Sequence, residues 1–141
     1  MSVLDLAVRV ATDPALRQRG LGELVGLDFP GPGFQQGRVS VQVRPARRAH
    51  AVDTALAWFY LLDRATASLR NYDTRVAVYV SGDLAGDPVQ AWLSVDGTAA
   101  MLLRDAVDTA SGWDPWDSAD ASVHLLRRVA VDVSEWSWSW C

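Results

Sequence analysis

Chemistry in this chain rests on few residues. Its two histidines are His50 and His124, and its single cysteine, Cys141, is the last residue. All thirteen basic residues are arginine, and lysine is absent. Schiff-base chemistry and a phosphate-binding P-loop lysine are therefore excluded. One cysteine excludes an internal disulfide or a CxxC metal site, and two distant histidines exclude an all-histidine zinc site within one chain. No cofactor or metal is expected. An enzyme would have His124 as acid or base, with Arg44 or Arg128 contacting an anion. A lone histidine does not make a catalytic site without a second positioned group, so the reading leans away from catalysis. Cys141 has neither a helix N-terminus nor a neighbouring cation to make its thiol reactive.

Two other patterns resemble motifs and fail on spacing. Gly20-Leu21-Gly22-Glu23-Leu24-Val25-Gly26 departs by one residue from the dinucleotide fingerprint and does not follow a strand. Asp105, Asp108, Asp114, Asp117 and Asp120 lack calcium-loop spacing and read as a solvated acidic face.

Aromatic residues carry the stronger signal. The chain ends Trp136-Ser137-Trp138-Ser139-Trp140-Cys141, and in an extended backbone the three indoles share one face. Such a tail can pack on its own domain, or dock on a partner as an added edge strand with indole anchors. A third reading makes it a terminal peptide that tailoring enzymes modify.

The elements that would position these groups follow from hydropathy patterning. Residues 2–11 show helical spacing, Asp13-Pro14 starts a second short helix, and residues 20–37 hold six glycines and two prolines. This predicts a helical extension and a Gly/Pro-rich loop over 1–37, with at most a helical turn near Glu23. From Arg38, Val39, Val41 and Val43 alternate with polar residues as a half-buried strand does. A long helix is predicted from Ala46 to Leu69, ended by Asn71. Strands at 75–81 and 89–95 follow, joined by a turn at 82–88. Asp96-Gly97-Thr98 begins a helix running to about Ala110. Beyond the acidic loop at 113–120, Val123, Leu125, Val129, Val131 and Val133 predict a last strand.

The order from residue 38 to 134 is then β-α-β-β-α-β, an α+β domain. It resembles the ferredoxin-like arrangement, a four-stranded antiparallel sheet with two helices on one face. In its usual 4-1-3-2 order the strands at 38–44 and 89–95 are central. Residues 135–141 form the Trp-rich tail. The outward face of this sheet would carry Gln42, Arg44, Tyr79, Trp92, His124, Leu126 and Arg128, joined by Trp136, Trp138 and Trp140 if the strand continues.

Net charge is −4. An acidic chain with scattered arginines, and one aromatic on the two central strands, does not suit nucleic acid. No apolar run approaches the ~18 residues that span a membrane, and the N-terminus lacks a signal peptide's basic region. A cytoplasmic location is expected. Missing Lys and Ile, with a single Asn, point to a high-GC bacterial or phage gene.

The functional expectation is a small, non-enzymatic binding or assembly protein in a scaffold, phage-structural, immunity or accessory role. It would self-associate or join a larger complex through Tyr79, Trp92, His124 and the tail tryptophans. The alternatives are a dimeric barrel enzyme acting on an aromatic small molecule, and a carrier modified at its C-terminus.

Overall fold

The structure, a computed structural model, describes residues 20–28, 39–84 and 86–139, with side chains given throughout except at 27, 28, 48 and 136–139. The helices expected within 1–19, the Phe29–Gly37 loop, Trp140 and Cys141 lie outside the described residues.

Among the described residues, six strands form one mixed sheet in the order β1-β2-β5-β4-β3-β6. They are β1 (Glu23–Asp28), β2 (Val39–Arg44), β3 (Asp63–Asn71), β4 (Arg75–Leu84), β5 (Asp87–Asp96) and β6 (Ser118–Ala121). Among the described residues, three α-helices accompany them: α1 (Ala51–Leu61), α2 (Gly97–Ala110) and α3 (Val123–Ser139). A 3-10 turn at Arg48–His50 leads into α1. The chain is α+β, but its strand order is not that of the ferredoxin-like sheet. β2 and β5 are adjacent, as expected of the central pair, and run parallel with Val41 opposite Ala91. The place expected for the last strand beside β2 is taken by β1, and β3 and β6 extend the far edge.

Three segments account for the difference. Glu23–Asp28, read as loop because of its glycines, is an edge strand antiparallel to β2. Its register shifts between Leu24 and Gly26, and a Cβ at Gly26 would press on Gln42 at 3.1 Å. Glycine in a strand commonly marks such a close approach.

The long helix predicted to Leu69 ends at Leu61 and gives way to β3. Residues 62–69 satisfy both periods: Leu62, Thr66 and Leu69 are helically spaced, whereas Ala65, Ala67 and Leu69 alternate. Pairing with β4 from Thr66 to Asn71 decides in favour of strand. The break is local, because Arg64 has φ 51°, in the left-handed region, at the register shift between Asp63 and Thr66.

The last predicted strand is α3. Its valines alternate, but Leu126, Val129 and Val133 are also spaced by three and four, and these are the buried ones. Val131, expected inside, is 55% exposed, and Leu126, expected outside, is 0% exposed. Ser122 Oγ accepts the Leu125 backbone N–H at 3.1 Å, capping the first turn. The strand preceding this helix is instead β6, four residues that fall partly within the predicted acidic loop.

The helix at 97–110 matches its sequence expectation, and so do the two hairpin strands, except that β4 runs on to Leu84 and β5 starts at Asp87, pairing most of the predicted 82–88 turn. α1 and α2 pack on the central strands, and α3 packs across α1 and α2. The sheet face beneath them is lined by Val39, Val41, Val76, Val78, Val80, Val89, Leu93 and Val95, all at 2% exposure or less. Trp58 on α1 is fully buried, and its Nε1–H donates to the Leu21 carbonyl at 2.9 Å. That bond ties the entry of β1 to the core.

Candidate interaction surface on the sheet

Strand residues alternate between faces, so the registers specify the side opposite the helices. Gln42 is opposite Trp92, Trp92 opposite Tyr79, Tyr79 opposite Ser68, and Ser68 opposite Asp120. This row crosses five strands. The rings of Tyr79 and Trp92 stack with centroids 6.3 Å apart and planes at 27°. Below it, Ser40, Gln90, Ser81 and Thr66 form a hydroxyl and amide row in which Gln90 Nε2 donates to Ser81 Oγ at 3.1 Å.

Above it lie Ser94, Ala77 and Arg70, with Arg75 beyond them at the start of β4. Here the turn after β3 contributes Tyr72, close enough to Tyr79 to influence its phenol. The guanidinium carbons of Arg70 and Arg75 lie 5.5 and 5.0 Å from the Tyr72 ring centroid. At such distances the cation is drawn to the ring's electron-rich face. Arg104 on α2 holds the turn, donating from Nε to Asn71 Oδ1 at 2.8 Å and from Nη2 to the Tyr72 carbonyl at 2.9 Å. Tyr72, Arg70 and Ser68 escaped the sequence reading because their strand was read as helix and Asn71 as its terminator. The alternation of Ala65, Ala67 and Leu69 was the available signal.

Desolvation, together with the nearby Tyr72, raises the Tyr79 phenol above its ordinary value of 10.0, while Arg70 and Arg75 pull the other way. A group whose folded pKa is raised contributes stability that is present in full below the unfolded value and lost as pH rises through the folded one. Wild type should therefore lose more stability than Tyr79→Phe on passing from neutral pH to above pH 10, as measured by urea unfolding. Equal losses would show that Tyr79 ionises alike in both states.

The other candidates disperse. Arg44 lies on β2, its Nη2 2.6 Å from Glu23 Oε2 in an exposed ion pair. His124 and Arg128 are exposed on α3, off the sheet, and Leu126 is in the core. β2 and β6 are separated by four strand spacings of ~4.8 Å, so Arg44 does not converge with His124 at the β6 end of the sheet. The tail backbone is helical to Ser139, which places positions 136 and 138 roughly 200° apart around the axis. His50, the second imidazole, pairs with Asp53 at 3.1 Å on the surface.

An open groove of about 570 Å³ lies where β6 ends, lined by Phe59, Thr66, Ser68, Gln90 and Asp120 among others. Among the described residues, no group of three His, Cys, Asp or Glu side chains could hold a metal ion. Among them, too, no helix is long and apolar enough to cross a membrane. Fold and surface together define an α+β protein with a six-stranded mixed sheet, helices on one face and an aromatic row on the other. Comparison with known protein families, curated proteins and solved structures gives no match.

Proposed function

We propose that this chain is a small binding and assembly protein that docks on a protein partner through the sheet face opposite its described helices. The partner is another copy or a different subunit, and a cytoplasmic location belongs to the same reading. The single observation that carries it is the stack of Tyr79 and Trp92, with Tyr72 and its two flanking guanidiniums at the neighbouring strand end, on the face without described helices. Aromatic and arginine side chains are the types enriched at interface centres, where flat rings offer large contact area at low entropic cost.

The decisive experiment places a photo-crosslinking amino acid at Gln42 and, separately, at Ser68 in the native host. A discrete adduct at either position, lost on Trp92→Ala, is expected. Uncrosslinked chain at both positions would refute the reading. Truncation after Ser134 in the same assay separates the tail's contribution from that of the face.

A further inference from the structure

We propose that two copies of this chain pair about a two-fold axis at one corner of the sheet face opposite the described helices. There the indole of Trp116 from each copy seats on Arg70, Tyr72 and Arg75 of the other. The inference rests on the docking reading above and names its partner as a second copy.

The corner is assembled by β-pairing. Arg70 is opposite Ser118, and the Asn71 backbone N–H donates to the Asp117 carbonyl at 2.7 Å. The loop bearing Trp116 therefore abuts the strand end that carries Arg70 and leads into Tyr72. Trp116 is 81% exposed, the highest of the exposed large hydrophobic residues described. Tryptophan is strongly buried on average, so an indole held this far into water is unusual. The loop is also set in advance. Asp114 Oδ1 accepts the backbone N–H groups of Trp116 and Ser118 at 2.9 and 2.8 Å, and the Asp114 carbonyl accepts that of Asp117 at 3.0 Å. A side chain presented on an ordered loop loses little entropy on docking.

Across the corner lies its chemical complement. Among the described residues, neither Arg70 nor Arg75 pairs with a carboxylate, and the Arg75 contact with Ser94 Oγ is long at 3.5 Å. Guanidiniums already aligned on the Tyr72 ring suit a second aromatic face, and the exposed Asp117 carboxylate beside Trp116 suits their charge. An arbitrary partner would need both complementary halves at matching positions. A second copy carries both automatically, because a patch with its two halves side by side is self-complementary about a two-fold axis.

Light scattering on the full-length chain across a concentration series tests this. The wild type should dimerise, more weakly as salt rises. Trp116→Ala should raise the dissociation constant roughly 30-fold per indole, hence roughly 1,000-fold for the pair, with circular dichroism unchanged and Tm equal to that of wild type at concentrations where both are monomeric. The double variant Arg70→Glu/Arg75→Glu should be monomeric too. Mixed with Trp116→Ala it should form a heterodimer, because one of the two contact sets is then intact. A monomeric wild type, or a dimer indifferent to Trp116→Ala, would overturn the proposal. A discrete adduct to a different protein from Gln42 or Ser68 in either case would leave the docking reading standing.

Discussion

Leu126→Ala should destabilise the fold by about 3 kcal/mol, whereas Val131→Ala should shift it by no more than about 0.5 kcal/mol. Leu126 is fully buried on the stripe of α3 that also carries Val129 and Val133. Removing its branched end leaves a cavity between α3 and the two helices beneath. Val131 is more than half exposed on the same helix, and alanine there also carries the better helix propensity. The comparison discriminates because a strand through 123–133 reverses it, with Val131 inside and Leu126 on the outward face. Urea unfolding with a common m-value measures both variants. A larger loss at Val131 than at Leu126 would mean that the segment is not this helix.

Trp58→Ala should cost more, about 3–5 kcal/mol for the lost packing and a further 1–3 for the stranded Leu21 carbonyl. Against a typical domain stability of about 5–15 kcal/mol, that brings the chain close to unfolding at ordinary temperature. Trp58→Phe separates the two contributions, because it keeps most of the apolar contact and removes only the indole N–H. The structure expects an intermediate loss, since the Leu21 carbonyl is the acceptor of that N–H inside the core. Leu21 itself is 1% exposed. Just beyond it, Gly22 has φ 75°, and a Cβ there would lie 2.6 Å from the Arg44 carbonyl. The start of β1 is thus held by the indole on one side and by close backbone packing on the other. Thermal unfolding of the three proteins would settle the partition, and a phenylalanine variant as stable as wild type would show that the hydrogen bond contributes nothing.

Where one pattern had one solution, the sequence was legible. Val39, Val41 and Val43, the paired alternations at 76–80 and 89–95, and the Asp96-Gly97-Thr98 helix start all describe elements seen in the structure. The same strands placed Tyr79, Trp92 and Gln42 together on one face, and the registers bring them into one row. Where a segment satisfied two periods, the local pattern chose wrongly. Residues 62–71 carry both a helical and an alternating apolar set, and so do residues 123–133.

Such ties are broken by tertiary contacts. β3 is a strand because β4 and β6 offer its backbone partners on both sides. α3 is a helix because a groove across α1 and α2 rewards the 126-129-133 stripe. β1 is a strand because β2 has an edge to pair, a contact invisible in a glycine-rich segment. By itself the sequence determined the mixed α and β class, the central valine strands, and the exclusion of lysine chemistry and of a disulfide within the chain, because these depend on composition and on short-range periodicity. The tertiary structure alone decided which ambiguous segments became strand or helix. With that it brought Tyr72, Arg70 and the Trp116 loop to one corner, because strand pairing joins residues that no local spacing relates.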